Sequence, residues 1–363
     1  MKIILRLPKM TLFILVVMLL MACSSNNSNV NSNQISNPIG NTWVELSGLN
    51  ANGNVKKIVT DSQNNLYAIG NFTNAAGKYY VAKWNGSVWS ELGNLNVDNL
   101  ILTIIVDNND NILIAGSFKN SSGKPYVAKW NGVTWSEMGS LVLPSLVFTN
   151  TAICNIMNDN LGTTYIAISN NNDSSITLNK WNGSNWSTTN PFPYGFAATG
   201  YLVNIKFDST NSLCIGGMTT NLYKSLLTSW TAIDYGGLNY VKSFEFNSQD
   251  ILYALLGDLN SVKLYKKNSS WSKVSDVLLS SSYRDKQNNL YFGGYQSNSN
   301  TALKCNVYQL VNDNLTSIGN ISENQYYNPH LLVHDLTKDS NGVLYASVGD
   351  YLYGNFRVVK YIP

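Results

Sequence analysis

Two histidines, His330 and His334, with Asp335 beside them, are the natural starting point for any chemistry, because the chain has no other histidine. They fall in an apolar run that reads as a strand. Residues four apart on a strand share a face but lie roughly 13 Å apart at about 3.3 Å per residue, too far to hold one metal ion. Strand alternation sends Asp335 to the opposite face, so a His–Asp pair for activating a nucleophile is not expected there. Each histidine reads as a polar channel-lining or loop residue. The run Asp107-Asn108-Asn109-Asp110-Asn111 opens like a calcium loop, but Ile112 stands where the loop needs glycine and Phe118 where it needs glutamate. A turn stabilised by Asx side chains explains it better. No G-x-S-x-G, P-loop or dinucleotide pattern occurs, so no catalytic residue, metal or cofactor is assigned. Cys154, Cys214 and Cys305 sit in apolar strand contexts without C-x-x-C spacing and read as buried thiols, with a Cys154–Cys214 disulfide as the alternative.

These residues must be positioned by a repeat. Gly77 to Gly93 reads GKYYVAKWNGSVWSELG, and Gly123 to Gly139 reads GKPYVAKWNGVTWSEMG, 46 residues later. A looser copy is Lys180-Trp181-Asn182-Gly183-Ser184-Asn185-Trp186-Ser187. The second tryptophan recurs as Trp43, Trp89, Trp135, Trp186, Trp230 and Trp271, with Leu315 in the equivalent place, at intervals of 46, 46, 51, 44, 41 and 44. Another pattern, an apolar strand, an Asp/Asn turn and a strand ending in Gly, centres on Asp61, Asp107, Asp208, Asn247, Asp285 and Asp339, with Asn158 to Ile168 supplying a seventh. Each unit therefore contains four short strands, a to d. Asn85-Gly86 predicts a two-residue hairpin with φ > 0 at both positions, which sets Ala82 opposite Trp89 and Ala128 opposite Trp135.

A four-stranded unit of this length repeated seven times predicts an all-β, seven-bladed β-propeller. The chain stops after a strand c (Arg357 to Tyr361) and begins with a lone strand d (Asn41 to Leu46). Pairing the two closes the last blade with the N-terminal strand and leaves no open sheet edge. The repeats resemble kelch-like and related bacterial surface propeller repeats in their G-x-F and A-K-W-N-G-x-x-W elements, without a regular Gly-Gly. That resemblance implies architecture rather than activity.

The N-terminus reads as a processing signal. Lys2, Arg6 and Lys9 precede an apolar run from Met10 to Met21, too short to span a bilayer. It ends in Leu20-Met21-Ala22-Cys23, which resembles the lipobox of bacterial lipoprotein signal peptides. The resemblance implies cleavage before Cys23, lipidation of its thiol and acylation of its new amine. Residues 1–22 are thus expected to be a signal peptide, 23–40 a Ser/Asn-rich tether, and 41–363 the propeller. Ser24 stands where some bacteria use Asp to retain lipoproteins in the inner membrane, which favours the outer membrane.

Loss of residues 1–22 removes three positive charges and brings the formal net charge from +3 to 0. Charged residues are only 12% of the chain, against roughly 25% in ordinary soluble proteins. Such a surface lacks the field that nucleic acid requires, and charged channel residues suited to catalysis are hard to find. Six of the nine tryptophans are locked to the repeat, as blade packing would impose. In propellers the a–b and c–d turns share one rim, and the b–c and d–a loops share the other. Here the first set is short and stereotyped, while the second is longer and varied, where function concentrates. Phe192, Tyr194 and Phe196, with Tyr326, Tyr327 and His330, fall in d–a loops and suit either a protein or glycan contact surface or packing back onto the blades. The expected function is a lipid-anchored binding scaffold at the cell envelope, with outer-membrane assembly as one version. The alternative is a glycan lyase or hydrolase working in the central channel.

Overall fold

The computed structural model describes residues 42–143, 151–170, 175–189, 204–217, 221–225, 229–234, 240–258, 261–295, 304–322, 331–349 and 356–363. Their secondary structure is strand, with no helix among them. Seven separate four-stranded antiparallel sheets form, each with its strands in chain order except the last. The innermost strands, a, run Val55–Thr60, Ile101–Val106, Thr151–Asn158, Asn204–Phe207, Tyr240–Phe246, Leu279–Arg284 and Leu332–Lys338 in blades one to seven. Each touches the next, and the seventh touches the first, so the ring is closed. The fold is a seven-bladed β-propeller.

Blade seven is completed from the other end of the chain. Thr42–Glu45 pairs antiparallel with Arg357–Ile362, with Trp43 opposite Tyr361 and Val44 opposite Lys360. Leu46 N continues the ladder to Val358 O at 2.8 Å. Alternation along each strand sends apolar side chains to both faces of the sheet, and every blade buries both faces against its neighbours. Seven apolar clusters result, one at each interface between blades. At the seam, Leu46, Val55, Ile58 and Phe72 pack with Tyr345 and Val358. Blades one and two share Tyr67, Ile69, Ile104 and Phe118.

The tryptophans tie the blades together. In strand d, the indole N–H of Trp89 donates to Leu46 O (3.0 Å), that of Trp135 to Leu92 O (2.8 Å), that of Trp186 to Met138 O (2.5 Å) and that of Trp271 to Asp234 O (2.8 Å). Each acceptor belongs to strand d, or the residue just after it, in the preceding blade. The tryptophan ending strand c reaches back in the same direction. A Cβ on Gly93 would lie 2.4 Å from the Trp130 ring, so the glycine after strand d makes room for that indole.

The c–d connection differs from the sequence expectation. Trp84 pairs with Trp89, and Ala82 faces Glu91; Ala128 likewise faces Glu137, and Trp130 faces Trp135. The connection is a four-residue turn, Asn85 to Val88, in which only Gly86 has a positive φ, +99°. The Asn85 side chain accepts from the backbone N–H groups of Ser87 and Val88, both at 3.0 Å. This Asx bonding lengthens the turn by two residues and moves the register with it. The indoles then stack in pairs, with Trp84 and Trp89 ring centroids 5.5 Å apart.

Cys214 and Cys305 are buried free thiols, as expected. Burial pushes both up to about 12, so neither is a thiolate nucleophile at neutral pH. Cys23, Phe192, Tyr194, Phe196, Tyr326, Tyr327 and His330 lie outside the described residues.

Candidate functional site

The two rims are built differently. On the a–b and c–d rim the side chain opening each a–b turn is turned inward to its own backbone. Asp61 accepts from Gln63 N (3.0 Å) and Asn65 N (2.8 Å), and Asp107 does so from Asn109 N (2.8 Å) and Asn111 N (2.9 Å). The same two bonds recur at Asp159, Asp208, Asn247 and Asp285, and Asp339 accepts from Val343 N. The calcium-like run at Asp107 is therefore one member of a repeated Asx turn, as its residues suggested.

These turns are also laced to one another. Ser340 of blade seven donates to Asn64 of blade one from its backbone N–H (2.9 Å) and its hydroxyl (2.6 Å). Ser62 N donates to Asp110 (3.0 Å), Asn160 N to Asn211 (3.0 Å) and Ser209 N to Asp250 (2.8 Å). Each acceptor sits in the left-handed region, with φ of 65°, 58°, 63° and 57°, which Asn and Asp tolerate best among side-chain-bearing residues. In blade three this place is taken by Gly162, where a Cβ would lie 2.2 Å from the Asn108 amide. That rim is a belt of spent polar groups.

The channel walls carry more charge than the composition suggested. The seven innermost strands hold six basic residues (Lys56, Lys57, Lys206, Lys242, Arg284 and Lys338) against two acidic ones (Glu245 and Asp335). The expectation that charged channel residues would be scarce is corrected: a low overall count concealed their concentration on one strand type. Most of them bind across blades. Lys206 Nζ meets Glu245 Oε1 at 2.6 Å, Lys338 Nζ meets Asp285 Oδ2 at 2.9 Å, and Lys57 Nζ donates to Thr103 Oγ1 at 3.2 Å. Arg284 reaches Phe246 O and Phe207 O, both at 3.4 Å.

A β-bulge early in strand a sets what happens at the other end of the channel. The register slips at Lys56, Leu102, Cys154, Lys242, Ser280 and His334 in blades one, two, three, five, six and seven. A bulge inserts one residue that the partner strand does not pair. This breaks the alternation from which Asp335 was expected to oppose His334. Asp335 is half-buried and accepts from Ile58 N of blade one at 2.9 Å. Burial, opposed by that hydrogen bond and by Lys57, holds its carboxyl up to about 6. His334 is pushed down to about 3 by burial and by the positive charges of Lys242 and Lys56. His334 thus lies within electrostatic reach of the equivalent bulge residues of blades one and five. Strand periodicity alone cannot reveal this cluster, since it depends on where each bulge falls.

On the described part of the loop rim the aromatics fold inward. Phe72 stacks edge-on against Tyr80 with centroids 5.0 Å apart, and Phe118 against Tyr126 at 4.9 Å. Asn52 and Thr73 exchange two hydrogen bonds, holding the d–a and b–c loops of that blade together. Among the described residues no group of three or more His, Cys, Asp or Glu is placed to hold a metal ion. Nor is any helix there long and apolar enough to cross a membrane.

No protein-family model and no curated protein matches the chain. Solved propellers share its shape. A structure of YCF48 bound to D1 peptide aligns over 89% of this chain and 96% of its own, with a TM-score of 0.58 and 12% identity. The WD40 β-propeller domain of Doa1 aligns over 87% and 95%, with a TM-score of 0.55 and 11% identity. A chain of the mitotic checkpoint complex aligns over 94% and 97%, with a TM-score of 0.59 and 10% identity.

Proposed function

We propose that this chain is a lipid-anchored binding scaffold of the bacterial cell envelope, engaging a protein or glycan partner through the b–c and d–a loop face. The observation that carries this reading is the asymmetry of the rims. One is a stereotyped belt whose polar groups are consumed by its own turns and by neighbouring turns. The other bears the long, dissimilar loops, with Phe192, Tyr194, Phe196, Tyr326, Tyr327 and His330 among their residues. Specificity needs variation, and the loop face is where the chain supplies it. The similar structure of YCF48 holds a peptide, which supports a protein partner.

The envelope assignment rests on the lipobox-like Leu20-Met21-Ala22-Cys23 and the Ser/Asn-rich stretch after it. A diacyl or triacyl anchor holds where a single chain exchanges, because each buried CH₂ contributes about 0.8 kcal/mol. Binding is favoured over channel catalysis because the two channel carboxylates are engaged structurally, Asp335 with Ile58 N and Glu245 with Lys206.

Two measurements test the proposal. Metabolic labelling with an alkyne fatty acid should tag the wild type and not Cys23→Ser. Capture from solubilised envelopes should recover a partner with the wild type and lose it with Phe192→Ala/Tyr194→Ala/Tyr326→Ala. Unchanged capture by that variant would overturn the loop-face assignment.

A further inference from the structure

The equivalent bulge position in strand a carries lysine twice, Lys56 in blade one and Lys242 in blade five. The bulge lies near the start of the strand, so both face the loop-rim end of the channel, away from the belt of Asx turns. Both are partly buried. Their ammonium groups differ from those of Lys206, Lys266 and Lys338, each of which has a carboxylate within 2.9 Å. Among the described residues, no carboxylate and no hydrogen-bond acceptor engages the side chain of Lys56 or Lys242. Burial lowers the pKa of each, with no neighbouring anion to oppose it. Two uncompensated cations at the same end of a channel destabilise it, unless something else supplies the counter-charge.

Among the described residues the chain itself offers little. The sequence has Asp98, Asp276 and Glu323 in the d–a connections of this rim, and Asp173, Asp258 and Asp350 at its b–c connections. Asp98 is exposed, and Asp276 is taken by Lys263 and Lys273 at 2.9 and 2.7 Å. The other bulge residues add no anion: Leu102 is apolar, and the Ser280 hydroxyl is spent on the carbonyls of Gly293, Gly294 and Val333.

We propose that the loop-face end of the channel binds a carboxylate of an acidic protein segment between Lys56 and Lys242. This deepens the loop-face reading and rests on it. A protein carboxylate fits better than an acidic sugar for a structural reason. A pyranose ring is ordinarily gripped by exposed aromatic faces, whereas Phe72, Tyr80, Phe118 and Tyr126 on the described part of this rim are stacked on one another. An Asp or Glu side chain reaches in on a slender stem and needs only point charges, which ammonium groups supply.

The test is fluorescence anisotropy of a labelled hexaglutamate peptide with the full chain, compared with hexaserine and with an oligouronate of similar charge. Hexaglutamate should bind, hexaserine should not, and Lys56→Gln/Lys242→Gln should weaken binding at least tenfold without lowering the melting temperature. Hexaglutamate binding no tighter than hexaserine, binding unchanged in the double variant, or a preference for the oligouronate would each overturn the proposal. Envelope capture by Lys56→Gln/Lys242→Gln separates this inference from the broader one. If capture persists there but fails in Phe192→Ala/Tyr194→Ala/Tyr326→Ala, the loop face stands and the carboxylate site falls.

Discussion

Trp43 and Tyr361, 318 residues apart in the chain, are register partners across the ring seam, with ring centroids 5.3 Å apart. The same tryptophan belongs to the apolar cluster shared by blades six and seven. The indole therefore joins the N-terminal strand both to the C-terminal strand and to the neighbouring blade. Trp43→Ala should cost about 2–4 kcal/mol, read from urea denaturation. A loss below half of that range would mean the seam does not limit global stability.

The repeat-locked tryptophans are equal in packing but not in hydrogen bonding. Trp135 Nε1 donates to Leu92 O at 2.8 Å, while Trp43 Nε1 is buried with no acceptor among the described residues. Trp135→Phe should cost about 1 kcal/mol beyond the change in buried area, because the Leu92 carbonyl is left unpaired. Trp43→Phe removes an unsatisfied donor and should be close to neutral. Paired melting curves decide it, and equal losses would contradict the distinction.

Asp61 accepts four hydrogen bonds, from Gln63 N, Asn65 N, Asn65 Nδ2 and Tyr67 Oη. Asp61→Ala strands all four donors and should destabilise by about 2–3 kcal/mol. Asp61→Asn keeps the two backbone bonds and should recover at least half of that loss. The comparison is made by chemical denaturation at neutral pH.

His334 and Asp335 give the acid response two opposing contributions. His334 is held near 3 in the folded state against 6.5 in the open chain. Between those values the unfolded chain binds the extra proton, so stability falls on acidification by up to about 1.4 kcal/mol per pH unit. Asp335, raised to about 6 from 3.8, takes up its proton first in the folded state and contributes the opposite slope between pH 6 and 4. The wild type should be nearly flat over that window. His334→Gln should become more stable as pH drops from 6 to 4, and Asp335→Asn less stable. Identical pH profiles for the two variants would show that neither group titrates as its surroundings dictate.

Lys242→Met should raise stability by about 1 kcal/mol, since it replaces an uncompensated, partly buried cation with an apolar side chain of similar length. Thermal melting checks this. A destabilised Lys242→Met protein would show that Lys242 already has a partner within the fold.

Blade number, strand order and ring closure were legible because each is written many times over. The tryptophan spacing, the Asx turns and the split last blade all agree. The c–d register was misread because Asn85-Gly86 suits two turn lengths, and the bond from Val88 N to the Asn85 side chain that selects the longer one is not visible as a residue pattern. The channel was misread for a different reason. Counting charge over the whole chain hides the fact that strand a carries Lys56, Lys57, Lys206, Lys242, Arg284 and Lys338. The bulges that disturb alternation at Lys56, Lys242 and His334 leave no mark in a period-two pattern.

The most direct test is site-specific photocrosslinking in intact cells. A benzophenone amino acid is placed at Tyr326 on the loop face and, separately, at Val133, which is 82% exposed at a c–d turn on the opposite rim. The scaffold account predicts a discrete partner adduct from position 326 and none from position 133. An adduct from position 133 with none from position 326 would place the working surface on the belt of Asx turns and contradict it.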